Sequence, residues 1–230
     1  QLVAIDVDVD LNARGEHVSP SRWKEMMEST PDRIMLDVRN DYEWEVGHFD
    51  GAERPNCNTF RDFKTFTENL IGKGNSTDTP VMMYCTGGIR CEIYSAYLKQ
   101  KGFEKVYQLD GGVIGYGLNE GAEHWKGKLF VFDDRMTVPI SEEETPVVGS
   151  CRHCQGKIEN YYNCANMDCN ELFLCCPDCL ARLAGCCSET CHQSPRIRPF
   201  HHLNPHKPFR KYHHYFGEKK KKEAPSNVEG

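Results

Sequence analysis

Short apolar runs alternate with segments of helical spacing between residues 17 and 120. The runs at 34–36, 81–84 and 105–109 predict strands, and the uninterrupted run at 81–84 is typical of a strand buried on both faces. Apolar positions at 59–70 recur every three or four residues, which indicates a helix that covers a sheet. Strands and helices that alternate in this way predict an α/β fold with a doubly wound parallel sheet.

The distribution of apolar, cysteine and basic residues predicts five segments along the chain of 230 residues. No apolar run approaches the roughly 18–20 residues that span a bilayer, and no signal peptide is visible at the start. We therefore expect no membrane partner. The cysteine usage, which favours metal binding over disulfides, implies a reducing compartment and hence a cytoplasmic location. The segments are a linker or strand at 1–16, the α/β domain at 17–125, a connector at 126–150, a cysteine-rich module at 151–192 and a basic aromatic tail, partly disordered, at 193–230.

The net charge of −6 conceals a strongly basic tail. Between residues 195 and 222 there are nine Lys and Arg against a single acid, Glu218. An acidic body with a basic tail is a pattern that holds polyanions, and the aromatic residues interleaved with the basic ones favour single-stranded RNA over a purely solvated tail. The candidate RNA contacts are Arg196, Arg198, Lys207, Arg210 and Lys211.

A glycine-containing loop follows the predicted strand at 81–84 and leads into a helix. Backbone N–H groups at such a position form an anion-binding nest, and the helix dipole adds to their field. A cysteine at the base of the nest is expected to be a thiolate of lowered pKa rather than a core residue. We therefore expect Cys85 to be the catalytic residue, in an anion-binding loop of Thr86, Gly87, Gly88, Ile89, Arg90 and Cys91.

Two further residues of this loop bear on the reactivity of Cys85, and the role of the second is open at the level of sequence. Arg90 adds a permanent positive charge near the thiol. Cys91 is either a resolving thiol within reach of Cys85 or the inward side chain of the first helical turn.

Ten of the thirteen cysteines lie between residues 151 and 191. Beside a reactive thiol, this density favours metal binding over disulfides. Eight thiolates suit two closed, structural zinc sites, in sequential or cross-brace order, and Cys175 and Cys186 are spare. The predicted ligands form four pairs: Cys151 with Cys154, Cys164 with Cys169, Cys176 with Cys179, and Cys187 with Cys191.

Several short motifs resemble the successive landmarks of a rhodanese domain. In that superfamily four residues between the cysteine and the arginine make a loop sized for sulfur, whereas related phosphatases have one more. Four residues separate Cys85 from Arg90, which disfavours a phosphatase. The landmarks are Asp37-Val38-Arg39, Glu43, Gly47-His48, Gly51-Ala52, the 85–90 loop, Lys101-Gly102-Phe103 and Asp110-Gly111-Gly112.

Segments 84–92, 162–166 and 186–188 resemble one branch of that superfamily more closely, the rhodanese-like tRNA uridine hydroxylases. The resemblance implies oxygen-dependent 5-hydroxylation of the wobble uridine, with tRNA as partner and molecular oxygen as co-substrate. It also implies that an N-terminal ferredoxin-like domain, absent from this chain, precedes the rhodanese domain in the full-length protein.

Two other functions are compatible with the same residues. Cys85 could carry sulfane sulfur as a persulfide, which would make the protein a sulfurtransferase of the thiosulfate type. Alternatively, the zinc module and the tail could form a non-catalytic scaffold, although such a scaffold has little use for a loop that lowers a thiol pKa.

Overall fold

The computed structural model describes residues 9–55, 60–72 and 76–201, and the chain divides into two compact units. The first unit comprises residues 1–130 and 137–149, and the second comprises 131–136 and 150–230. Over the described ranges no helix combines the length and the apolar character that crossing a membrane requires.

A four-stranded parallel sheet forms the centre of the first unit, in the order β1-β5-β4-β2. Antiparallel pairs β3–β6 and β7–β8 lie outside this sheet and were not predicted from the sequence. The strands are β1 Glu16–Val18, β2 Ile34–Asp37, β3 Gly47–Phe49, β4 Val81–Tyr84, β5 Val106–Leu109, β6 Trp125–Gly127, β7 Leu129–Phe130 and β8 Thr137–Val138. The helices are α1 Pro20–Ser29, α2 Asp41–Val46, α3 Phe60–Gly72, α4 Ile89–Gln100 and α5 Gly112–Glu120.

Side chains of β4 alternate between two covered faces, which confirms the predicted doubly wound α/β architecture. Met83 lies in a core with Phe63 of α3 and Leu98 of α4. On the other face, the ring of Tyr84 packs edge-on against Trp23 of α1, with ring centroids 6.2 Å apart. Helices therefore cover both faces of the sheet, as the uninterrupted apolar run predicted.

A buried ion pair connects β2 to the neighbouring elements at the carboxyl edge of the sheet. Nε of Arg39 donates to Oδ1 of Asp37 at 2.8 Å, and its Nη2 donates to Oδ2 of Asp37 at 2.5 Å and to the Gly47 carbonyl at 2.6 Å. The hydroxyl of Tyr84 donates to the same Asp37 carboxylate at 2.8 Å. Arg39 also lies 5.2 Å from the Trp125 ring centroid. One carboxylate thus links β2, β3 and β4 where the functional loop begins.

The second unit is small and built around its cysteines. An antiparallel hairpin of β9 Tyr161–Asn163 and β10 Leu172–Leu174 precedes α6 Pro177–Arg182 and α7 Glu189–His192. Its core combines a few apolar side chains, such as Phe173 and Leu183, with buried cysteines. Residues 202–230 of the predicted tail lie outside the described residues.

Removing the buried carboxylate by Asp37→Ala should destabilise the first unit by about 3–5 kcal/mol, because Arg39 would remain buried without its partner. Urea unfolding followed by tryptophan fluorescence measures this, since all three tryptophans lie in the first unit.

The matched control is Asp50→Ala, which removes an exposed ion pair to Lys126 (2.5 Å) in the same unit. Its cost should stay below about 1 kcal/mol. Equal losses for the two variants would contradict the importance assigned to the buried pair.

Candidate active site

Cys85 directly follows β4 at the carboxyl edge of the sheet, where ligands of parallel α/β folds bind. Its side chain is 2% exposed, and its Sγ accepts the backbone N–H of Gly88 at 3.1 Å. Gly88 caps α4 with φ of +92°, a left-handed conformation that a glycine adopts at little cost. The loop therefore turns its amide towards the sulfur at the N-terminus of a 12-residue helix.

The surroundings of Cys85 lower its pKa to about 6. The largest contribution is a hydrogen bond from the Cys91 thiol, and the charge of Arg90 and the backbone N–H groups of Arg90 and Cys91 add to it, against the opposing effect of burial. Burial and the neighbouring Cys85 raise the pKa of Cys91 well above its usual range. Cys85 is consequently the thiolate of the pair at neutral pH, and Cys91 is the thiol that donates to it.

Arg90 is held by a buried carboxylate on α2. Its Nη1 and Nη2 donate to the two oxygens of Glu43 at 2.6 and 2.9 Å, and the Thr86 hydroxyl donates to Glu43 at 2.8 Å. The backbone N–H of Asn40 also donates to Glu43, at 3.0 Å. Although burial opposes ionisation of Glu43, its hydrogen bonds and the charge of Arg90 lower its pKa. Both ends of the loop are thereby anchored to one carboxylate.

The turn between β5 and α5 supports the loop backbone from behind. The N–H groups of Val113 and Ile114 donate to the carbonyls of Cys85 and Thr86 at 3.0 and 3.2 Å. Gly112 packs so closely that a Cβ atom there would lie 2.5 Å from the Cys85 carbonyl oxygen. Any larger residue would displace the loop, so this glycine is required by close approach.

The remaining loop residues differ in what surrounds them. Space is open around Gly87, where an added Cβ atom would meet nothing within 4 Å. Ile89 is 69% exposed, whereas Cys91 is fully buried in the core. Cys91 is therefore the inward side chain of the first turn of α4, and it also contacts Cys85.

Two groups of four cysteines in the second unit could each hold a metal ion. Within each group the sulfur atoms all lie within 4.8 Å of one another, and three neighbouring pairs are 3.7 Å apart. Zn–S bonds of about 2.3 Å in a tetrahedron require sulfur separations of about 3.8 Å, so both groups fit such an ion. The groups are Cys151, Cys154, Cys176 and Cys179, and Cys164, Cys169, Cys187 and Cys191.

The grouping decides the order that the sequence left open. The first pair of ligands along the chain joins the third, and the second joins the fourth, which is the cross-brace arrangement. Cys175 and Cys186 are buried outside both groups, and burial is the main cause that raises the pKa of each.

Two of the predicted RNA contacts have partners within the second unit. Arg196 forms an ion pair with Asp168, and Arg198 donates to the Cys164 carbonyl at 3.1 Å and to the Asn170 side chain. Both arginines thus help to hold the cysteine-rich segment. The other three candidates, Lys207, Arg210 and Lys211, lie outside the described residues.

Sequence reasoning did not assign a role to Glu43 or Gly112. Each appeared only as part of a family motif, and no local pattern indicates the long-range contact that each makes. Glu43 and Arg90 are 47 positions apart in the sequence, and only the fold brings them together. The one available signal was the positive charge of Arg90, which needs a carboxylate such as that of Glu43 to balance it.

The fold and the loop define the class of protein. The family model for the rhodanese-like domain matches residues 19–118, and the one described as "Rhodanase C-terminal" matches residues 126–192. The 85–90 loop thus falls within the first matched region, and the two cysteine groups fall within the second.

Curated relatives specify the family. The chain is 62% identical over 216 residues to the tRNA uridine(34) hydroxylase of Protochlamydia amoebophila, covering 94% of this chain and 68% of that one. It is 52% identical to the protein of the same name from Chlamydia abortus, covering 99% of this chain and 70% of that one. The chain belongs to the tRNA uridine(34) hydroxylase family, as the motifs indicated, and spans about two thirds of the length of these relatives.

Alkylation of Cys85 by iodoacetamide should rise with pH through a midpoint near 6 and then level off, because the thiolate is the reacting form. Arg90→Gln should move this midpoint upward by about one to two pH units, because the neighbouring positive charge is lost. Mass spectrometry of the Cys85 peptide follows the rate for this thiol alone.

Arg14→Gln serves as the charge-matched control, because Arg14 is exposed and pairs with Glu92 at 3.1 Å on the outside of α4. Its profile should coincide with that of the unaltered protein. A Cys85 midpoint near 9 in the unaltered protein would refute the thiolate assignment.

Proposed function

We propose that this protein hydroxylates C5 of uridine 34 in tRNA, using molecular oxygen as co-substrate and Cys85 as the nucleophile. The observation that carries the proposal is a thiolate of pKa about 6 inside a nest of backbone N–H groups, in a member of this family. The names of the relatives supply the substrate and the position.

The proposed chemistry begins with addition of the Cys85 thiolate to C6 of the uracil ring. The electron pair of the C5–C6 bond moves towards C4 and its oxygen, which gives an enolate with a nucleophilic C5. The N-terminus of α4 favours the developing negative charge. Arg90 adds a permanent positive charge close to the nucleophile, and its two hydrogen bonds to Glu43 hold it there.

Transfer of one oxygen atom to C5, loss of the C5 proton and cleavage of the C6–S bond complete the reaction and restore the thiolate. The second oxygen atom leaves as water, with two electrons from an external reductant.

The rim of the loop is suited to the faces of a nucleobase. Ile89 is exposed beside the thiolate, and Ile114 and Leu118 are exposed on α5, whose first turn binds the loop backbone. Their spacing of four residues places Ile114 and Leu118 on one side of that helix. An extruded base requires such apolar surface around its reactive edge.

Zinc is the metal proposed for both cysteine groups. Four soft thiolate ligands in a tetrahedron suit this ion, and the absence of an open ligand position in either group indicates structural sites. No disulfide joins any of the twelve described cysteines, and thiolates reserved for metal binding are typical of a reducing compartment, so we propose a cytoplasmic location.

Sulfur transfer is the second candidate, because the amide that donates to Cys85 Sγ would equally stabilise a persulfide. The loop of four residues between Cys85 and Arg90 has the size expected for a sulfur atom. We rank sulfur transfer second because the relatives are named as hydroxylases.

Cys85→Ser should abolish 5-hydroxyuridine in tRNA, because a hydroxyl of ordinary pKa replaces the thiolate. Nucleoside mass spectrometry of tRNA measures this in cells whose own gene is deleted and that carry the full-length protein. Arg14→Gln should retain the modification. Persistence of 5-hydroxyuridine with Cys85→Ser would refute the proposal.

Two further readouts separate the chemistries. Turnover of thiosulfate and cyanide, without any change in tRNA, would favour sulfur transfer. RNA with 5-fluorouridine at the target position should form a covalent adduct with Cys85, and its absence with active enzyme would exclude addition at C6.

The full chain should bind two zinc ions, one in each cysteine group, and elemental analysis measures them. Cys154→Ala combined with Cys176→Ala should leave one ion, because the cross-brace places both residues in one group. Cys154→Ala combined with Cys169→Ala should leave none.

Cys175→Ala is the control and should retain both ions, since Cys175 belongs to neither group. Sequential pairing would reverse the outcome of the two double variants. Retention of two ions by both would exclude the cysteine groups as the zinc sites.

A further inference from the structure

The active-site loop contains a second thiol that takes no part in the bond changes of the proposed hydroxylation. The Gly88 N–H donates to the Cys85 sulfur at 3.1 Å and the Gly88 carbonyl accepts the Cys91 N–H at 3.1 Å, so one residue is bonded to both cysteines. Both cysteines also belong to one buried cluster. Cys91 is 0% exposed and packs in the core below the loop. Among the described residues of the first unit these are the two cysteines, and both are free.

The two thiols differ in their susceptibility to oxidation. Peroxides react with thiolates, and Cys85 is the thiolate of the pair. Cys91 stays protonated partly because the negative charge of Cys85 opposes its ionisation. Once Cys85 is oxidised to a neutral sulfenic acid that charge disappears, while Arg90, which favours ionisation of Cys91, remains. Oxidation of the first sulfur thus prepares the second to react with it.

We propose that Cys91 is the resolving thiol of the active site, and that it captures peroxide-oxidised Cys85 as a reversible Cys85–Cys91 disulfide. In the first step the Cys85 thiolate attacks hydrogen peroxide, forms an S–O bond and releases hydroxide. In the second step the Cys91 sulfur attacks the sulfenic sulfur, an S–S bond forms, the S–O bond breaks, and the Cys91 proton leaves with the hydroxyl group as water. Two exogenous thiols then reduce the disulfide.

The loop between the two sulfur atoms is able to follow this change. Its middle contains Gly87, which has open space around it, and Gly88 in a left-handed conformation. Cys91 lies in the first turn of α4, with its N–H bonded to the Gly88 carbonyl at 3.1 Å. Cys85 is anchored by the Val113 amide on its carbonyl at 3.0 Å. Movement is therefore confined to the glycines and the two side chains.

The consequence is protection of the nucleophile. A sulfenic acid without a nearby thiol proceeds to sulfinic acid, which ordinary thiols do not reduce. A disulfide with Cys91 stops that sequence at a stage from which dithiothreitol restores the active thiolate. This inference rests on the Cys85 thiolate and not on the hydroxylation reaction, and its readout needs no tRNA.

The test treats the zinc-loaded full chain with hydrogen peroxide, then alkylates the remaining thiols and digests with trypsin. Trypsin cleaves after Arg90, so a disulfide appears as two peptides joined through Cys85 and Cys91. The joined peptides should disappear after dithiothreitol, and Cys85 alkylation should then recover. In the Cys91→Ala variant, Cys85 should instead gain two oxygen atoms, as sulfinic acid, and its alkylation should not recover after dithiothreitol.

Cys91→Ser repeats the test with a side chain of nearly the same volume, which guards against a folding defect in the alanine variant. Ser95→Ala is the matched control on the same helix, because Ser95 is buried and accepts the Gly15 N–H at 3.0 Å. It should form the disulfide like the unaltered protein. Sulfinic acid at Cys85 in the unaltered protein, or full recovery in both Cys91 variants, would overturn the proposal.

Discussion

The geometry of the active-site loop depends on the ion pair between the buried Glu43 carboxylate and the half-buried Arg90. Arg90 follows the loop in the first turn of α4, and Thr86, at the start of the loop, donates to the same carboxylate. Asn40 fixes Glu43 in turn at the N-terminus of α2 through its backbone N–H and its side-chain amide. A buried carboxylate offsets its loss of hydration only when donors fill its lone pairs. Five donated hydrogen bonds meet that requirement here and hold both ends of the loop.

The same pairing limits what Arg90 does for the nucleophile. Because Glu43 balances its charge, Arg90 does not fully compensate a thiolate at Cys85. The stabilisation of that thiolate therefore depends on short-range donors, the Gly88 amide and the Cys91 thiol. The hydrogen bond from Cys91 is the largest cause of the lowered pKa of Cys85, and the charge of Arg90 adds to it. The second cysteine is thus part of the electrostatics of the site as well as of its core.

Local pattern was sufficient to predict three of the four strands of the central sheet, since uninterrupted apolar runs such as 81–84 require burial on both faces, but it did not predict β1 at Glu16–Val18. It also located the loop and the eight paired cysteines. The pattern could not predict that Glu43 faces Arg90, because a periodicity places a residue on a helix without showing what that helix packs against. The sequence pattern also could not predict the cross-brace arrangement, because the spacers between the cysteine pairs permit either sequential or cross-brace order. A backbone hydrogen bond from Arg152 to the Leu174 carbonyl, at 3.0 Å, brings the segment of the first pair beside the strand that leads into the third.

The twelve described cysteines differ in reactivity because their environments differ. Each group of four could hold a metal ion, and a coordinated thiolate would have its lone pair engaged. Burial raises the pKa of Cys186 to about 11 and that of Cys91 above its usual range, so these thiols remain protonated. With metal bound, Cys85 is the uncoordinated thiolate among the described cysteines. Selectivity therefore follows from three separate physical effects, coordination, burial and hydrogen bonding, rather than from any property of cysteine itself.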